Sequence, residues 1–212
     1  IKSARNLHRI IEDGQGEAAD LQTLGAIYAL QSSDYVTARD YIGQALELAQ
    51  YSKNKVLEVD TWLEFGLALE GLQDYEKACN AFEQMRAIQK KTKYQRGSLD
   101  AEAGLARCLV QEGKLPEAQQ KIEIVFNQLA LANEAWPVKY PAHLYLSAHH
   151  IFSQVGDPQK ATNALDRGHT WLQRRSEKIN DLEWRASFLE NIADHQKLTK
   201  LVTHHAKATT AN

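Results

Sequence analysis

Eight histidines and two cysteines are the residues of this chain with the most chemistry to offer. The histidines are His8, His143, His149, His150, His169, His195, His204 and His205. A zinc site built on a helix needs ligands at i and i+4 with a carboxylate in reach, as in His-Glu-x-x-His. No such pair occurs. His149-His150 and His204-His205 are adjacent, so on a helix their rings point about 100° apart. The histidines therefore read mostly as ordinary surface residues, with His195 expected to orient the last helix, and no metal is expected. Cys79 and Cys108 form no Cys-x-x-Cys motif and have no histidine near them in sequence. They read as two half-buried thiols in a reducing cytosol. No Gly-x-Ser-x-Gly elbow and no glycine-rich phosphate loop after a strand appears. Neither catalysis nor a cofactor is expected of such a chain.

What positions these residues is a set of helices. Apolar residues recur at three- and four-residue steps almost throughout, and no stretch alternates apolar with polar residues between hairpin signals. Hydrophobic residues make up 43% of the 212 positions and charged residues 25%, which suits a folded, all-helical protein. A formal net charge of −2 leaves no basic footprint for nucleic acid and no polybasic patch for a membrane surface. No apolar run approaches the ~18–20 residues that span a bilayer, and no leader segment opens the sequence. The chain is expected to be cytoplasmic.

The helices repeat. Asp34-Tyr35 recurs as Asp74-Tyr75, each followed three residues after the tyrosine by Ala38 or Ala78. The same alanine returns as Ala118, after Gly113-Lys114-Leu115-Pro116-Glu117, and as Ala161, after Gly156-Asp157-Pro158. The steps are 40, 40 and 43 residues, a period that marks one supersecondary unit stacked several times. In the second unit Trp62-x-x-Phe65-Gly66-x-x-Leu69 predicts one helix. Tyr75 to Ala87 predicts its partner, with Tyr75, Ala78, Phe82 and Met85 on one face. Gly66 and Ala78 are small where two helices must approach closely. These residues resemble the tetratricopeptide pattern. The first unit matches through Leu24-Gly25-x-x-Tyr28, Ala38, Ile42 and Ala45, with one extra residue in its Ser32-Ser33 turn. The third matches through Leu105-Ala106-x-x-Leu109, Ala118, Ile122 and Val125. The fourth departs, with His149 in the place of the small residue. There the hairpin opens or the imidazole turns to a polar partner.

The resemblance implies a right-handed superhelix of antiparallel helix pairs. Its expected layout is a half-repeat at 1–12, repeats at 18–53, 56–95, 98–133 and 140–179, a capping helix at 181–202 and a polar tail at 203–212. The apolar half-repeat and the missing initiator Met suggest a chain cut from something longer. Asn180-x-x-Glu183 predicts a capping box for the last helix. Trp62, Trp136, Trp171 and Trp184 are expected in the core, and Lys90-Lys91-x-Lys93 and Arg174-Arg175 at solvated helix ends.

A second resemblance covers about residues 100–200. Ala101-x-x-Gly104-Leu105-Ala106-Arg107, the Gly156-Asp157-Pro158 turn, Leu172-Gln173-x-x-Ser176-x-x-Ile179 and Arg185-x-x-Phe188-Leu189-Glu190-Asn191-Ile192-x-x-His195 carry it. This stretch resembles the C-terminal tetratricopeptide module of large bacterial regulators: maltose-activator-type ATPases, antibiotic-regulator-type transcription factors and cyclase–ATPase fusions. The resemblance implies a sensor or partner arm with a nucleotide-binding domain upstream. The chain itself carries no Gly-x4-Gly-Lys-Ser/Thr motif.

In tetratricopeptide arrays the first helices line the concave face. Carried over position by position, that lining comprises Gln22, Asp60, Leu63, Leu67, Glu70, Asp100, Arg107, His143, Leu146 and His150, with Ala26 and Ala103 between them. A groove with an apolar floor and graded charge suits a protein or peptide partner, or a small effector. The alternative for Leu63, Leu67 and Leu146 is simple packing between repeats. On this reading Asp60→Lys or Arg107→Glu weakens binding and leaves thermal unfolding nearly unchanged. A freestanding adaptor, or repeats attached to a protease or another enzyme, are the other readings of the same pattern.

Overall fold

The computed structural model describes residues 1–131 and 138–210. Its elements run α1 (Lys2–Ile10), α2 (Gly14–Ile27), a π-helical turn (Tyr28–Ser32), α3 (Tyr35–Tyr51), α4 (Lys55–Gly71), α5 (Tyr75–Thr92), α6 (Ser98–Gln111) and α7 (Leu115–Leu131). They continue with α8 (Pro141–Gln154), α9 (Pro158–Glu177), α10 (Leu182–Glu190) and α11 (Ala193–Thr210). No strand occurs among the described residues. The expectations for Trp136, for positions 132–133 and for 211–212 lie outside them.

The recurring Asp-Tyr pair is a helix start. The carboxylates of Asp34, Asp74 and Asp157 accept the backbone N–H of Thr37, Lys77 and Lys160 at 3.1, 3.4 and 2.9 Å. Such caps contribute about 1 kcal/mol each. Asp34 and Asp74 are thus fixed at the helix mouth, and Tyr35 and Tyr75 follow as first helical residues. The extra residue of the first unit is absorbed upstream of the cap: α2 relaxes into the π-helical turn, and Ser33 closes it with φ 50°. An i→i+5 turn takes up one residue without breaking the helix.

The helices pair as α2 with α3, α4 with α5, α6 with α7 and α8 with α9, and each second helix also meets the next first helix. First helices α2, α4, α6 and α8 touch in succession and form the inner layer. The result is the all-α superhelix of antiparallel pairs expected from the repeat. Phe82 shows how closely the layers interlock. Its fully buried ring sits between Gly66 of its own pair and Gly104 of the next. A Cβ at either glycine would lie 2.5 Å from a ring carbon. The ring has nowhere to go, so Gly104→Ala should destabilise the fold by about 1–3 kcal/mol through overpacking. Urea unfolding checks this, and a midpoint equal to that of the parent chain would disprove it.

Four local expectations resolve differently or more sharply. His149 does turn to a polar partner, its Nδ1–H donating to the carbonyl of Ala161 at 3.1 Å. The Asn180/Glu183 box is replaced by Asp181, which accepts the Trp184 N–H at 2.9 Å. The single capping helix is two, α10 and α11, separated at Asn191 and Ile192. His195 holds that corner: its Nδ1–H donates to the Phe188 carbonyl at 2.7 Å, and its ring lies against Trp171 and Phe188. Burial pushes its pKa below the ordinary histidine value. Trp184 is not core. It stands 74% exposed on α10, a short helix that buries none of its residues.

The cysteines also differ from expectation. Cys79 on α5 and Cys108 on α6 are joined in a disulfide across a Cα–Cα distance of 5.9 Å. The two positions lie 29 residues apart, but the stacking of one repeat on the next brings them side by side.

Candidate functional site

The inner layer does not run open from end to end. After α10 the chain turns back, and α11 packs against α8 and α9 and reaches the π-helical turn of the first repeat. Between them lies a cavity of about 350 Å³. Its walls come from the π-helical turn (Ala29, Leu30), from α4 (Glu64, Leu67, Glu70), from α6 (Arg107, Val110, Gln111), from α8 (His143, His150) and from α11 (Asp194, Lys197). Gly71, Ala193 and the side chains of Tyr35, Tyr75 and Tyr140 complete it.

Of the residues expected on the concave face, the structure brings five together here: Leu67, Glu70, Arg107, His143 and His150. The others lie elsewhere. Leu63 is fully buried against Met85 and Val59, and Leu146 packs with Leu165, Leu172 and Leu198. Gln22 is half-buried on α2, outside the cavity lining. Asp60 and Asp100 are buried and hold connectors. Asp60 faces Arg96 at 3.4 Å and accepts from the Tyr94 hydroxyl at 3.5 Å. Asp100 accepts the backbone N–H groups of Lys139 and Tyr140 at 2.8 and 2.9 Å. Burial pushes the Asp100 carboxyl up, with those two donors pulling the other way.

The cavity's own charges are largely matched. Arg107 makes two bonds to Glu70, at 2.8 and 2.6 Å, and a third from its guanidinium to the Ser147 hydroxyl at 2.8 Å. Side chains of Arg107 and Glu70 are only 14% and 11% exposed. Glu64 accepts from the Tyr140 hydroxyl and pairs with Lys139 at 2.6 Å. Burial, followed by the Glu64 charge, holds the Tyr140 pKa well above its usual value. His143 Nδ1–H donates to Asp194 at 3.0 Å and so ties α8 to α11, while its Nε2 is buried without a partner. Burial pushes the Asp194 carboxyl up, but the bond and charge of His143, with Lys197 and Arg107, outweigh it and leave the pKa lowered. Burial lowers the His150 pKa, helped by Lys197, His149 and Arg107.

Sequence reasoning missed the π-helical turn, the tyrosines and α11 as walls. A signal existed for Tyr35 and Tyr75, since they belong to the repeated Asp-Tyr pair. None existed for α11, whose return depends on the break at Asn191. No group of three His, Cys, Asp or Glu side chains suited to a metal ion is found among the described residues. No described helix is long and apolar enough to cross a membrane.

Solved structures with the same architecture include the TPR domain of Arabidopsis FLU, 22% identical with a TM-score of 0.53. The match covers 56% of this chain and 99% of that one. The fold is tetratricopeptide-like. BtubC (BKLC) from P. vanneervenii matches over 100% of this chain and 88% of its own, with a TM-score of 0.61 at 13% identity. Aspartyl phosphate phosphatase F from Bacillus subtilis matches at 15% identity and a TM-score of 0.61, over 98% of this chain. This chain spans 54% of that protein's length. At these identities the likeness speaks to fold alone. No protein-family model and no curated protein matches the sequence.

Proposed function

We propose that this chain is a recognition module that binds a protein, peptide or small effector on its concave face and has no catalytic role. One observation carries the reading: side chains from the first repeat, three successive inner helices and the last helix converge on one cavity. Tetratricopeptide-like neighbours add support through FLU, whose solved portion is a TPR domain. The arrangement suits a sensor. A ligand that touches both the first repeat and α11 favours the curvature in which they stand at the right distance, and shifts the population toward it. With the tail resemblance, this supports reading the module as the C-terminal arm of a larger bacterial signalling or regulatory protein. The freestanding-adaptor reading draws on BtubC, of whose chain the match covers 88%. Cytoplasmic placement rests partly on free thiols, and the Cys79–Cys108 bond removes that support, since stable disulfides belong mainly to oxidising compartments.

The exposed Gln111 at the cavity wall offers a test. Gln111→Trp should place an indole over the opening and reduce retention of the chain's native partner at least about tenfold. Trp184→Ala, at an exposed position outside the cavity lining, should leave retention unchanged. Quantitative co-purification with both variants decides it: equal retention by Gln111→Trp and the parent chain would remove the cavity from the binding surface.

A further inference from the structure

Helix α1 shows water the face that a helix normally hides. A surface helix ordinarily buries its apolar stripe and exposes its charges. Here Arg5 bonds Glu17 of α2 at 3.2 Å and His8 meets Asp20 of α2 at 2.9 Å, so polar side chains face the neighbour. No residue of α1 is buried. Leu7, Ile10 and the capping residue Ile11 share one side at i, i+3 and i+4 and stand exposed, Ile10 by 75%. The adjoining connector extends this apolar edge. Asn54 donates from its side chain to Gln15 at 3.1 Å, which holds the α3–α4 connector beside the one between α1 and α2. Tyr51 and Val56, on either side of that connector, are also exposed. Of the ten large apolar side chains exposed among the described residues, these are five, so the exposed apolar surface is gathered rather than scattered, as at a contact site.

Shape, charge and area suit a second copy. Ser3 and Ala4 precede Leu7 on the same side of α1 as Ile10 and Ile11 follow it, at three- and four-residue steps. In an antiparallel pair crossing at Leu7, the isoleucines of one helix fall over the serine and alanine of the other. Large then meets small, as close helix packing requires. The cations of α1 do not oppose this: Arg5 is turned to α2, and Lys2 and Arg9 lie at least about 140° round the helix from Leu7. Exposed charges near the connectors have both signs, Lys53 and Lys55 with Glu12 and Glu47, so a copy is not repelled there. The exposed apolar surface of the five side chains is roughly 600 Å² per copy, against about 800 Å² per partner in a standard interface. We propose that this chain pairs with a second copy of itself through α1. The two helices run antiparallel about a two-fold axis at Leu7, with Tyr51 and Val56 at the margin. The surface lies outside the cavity lining, so the pairing stands apart from recognition at the concave face.

Sedimentation equilibrium of the full chain should show monomer and dimer exchanging with a Kd of about 1–100 µM. Ile10→Asp, at an exposed position, should weaken the dimer at least about tenfold and leave the urea midpoint of the dilute, monomeric chain unchanged. Cross-linking reads the axis. Leu7→Cys should be joined between copies by diamide at micromolar concentration, whereas Arg9→Cys, on the flank turned from the contact, should not. Both native cysteines are already joined to each other, so the new thiol reacts alone. A chain that stays monomeric up to about 1 mM would give the face to another kind of partner and overturn the proposal. So would a dimer indifferent to Ile10→Asp, or equal cross-linking in the two cysteine variants.

Discussion

Arg107→Met should destabilise the fold by about 3 kcal/mol, because it leaves the part-buried Glu70 carboxylate without its cation. The guanidinium meets Glu70 through two short bonds and Ser147 through a third. Each partner comes from a different repeat: Glu70 from α4, Arg107 from α6, Ser147 from α8. One side chain thus fastens three inner helices at the cavity wall. The double variant Arg107→Met/Glu70→Leu should recover most of the loss, since replacing both members of a buried pair by apolar groups is often close to neutral. Urea unfolding of the parent, the two single variants and the double variant gives the coupling directly. A single-variant loss below about 1 kcal/mol would place the pair among exposed salt bridges of little consequence. The same geometry alters the expectation for Arg107→Glu. Two carboxylates facing each other at this depth would undermine folding as well as binding, so that variant does not separate the two.

Reduction of Cys79–Cys108 should lower stability by about 3–4 kcal/mol, the chain-entropy value for a closed loop of this length. The bond closes a span of 29 residues that contains most of α5, the connector and most of α6. For a chain of this size the loss corresponds to a fall in melting temperature of roughly 7–14 °C. Calorimetry with and without reductant measures it. The double variant Cys79→Ser/Cys108→Ser should melt at the reduced temperature and ignore reductant. A parent chain whose melting temperature does not respond to reductant would show that the bond does not constrain the unfolded chain.

The helices and their pairing are legible in the sequence because the signals that set them are local. Asp34, Asp74 and Asp157 cap the helices that follow, and Gly66 and Gly104 admit Phe82. Even the surplus residue near Ser32 shows in the spacing, although its form as a π-helical turn does not. The site is less legible because its partners lie a repeat or more apart. Asp20, Asp60 and Asp100 recur at steps of 40 residues, a regularity that reads equally well as a row of groove charges. In the structure Asp20 ties back to His8 at 2.9 Å, while Asp60 and Asp100 anchor the connectors into the next repeats. Periodicity shows that a position recurs; what the side chain meets there depends on the neighbouring turn. Trp184 illustrates the converse, since its residue type suggests burial and its short helix offers nothing to be buried against.

The contact between α11 and the first-repeat turn has a consequence for how the molecule comes apart. An open solenoid behaves as a row of units, each held by its neighbours, and frays from its ends. Here α11 leans on the turn that follows α2, so α2 and α11 are not free to loosen independently of one another. Unfolding should then be one cooperative event, with amide exchange in α2 and α11 slowed to a common rate. Forming that contact requires nearly the whole chain to be in place. Folding should accordingly be slower than the short-range contacts of a helical repeat protein alone would suggest.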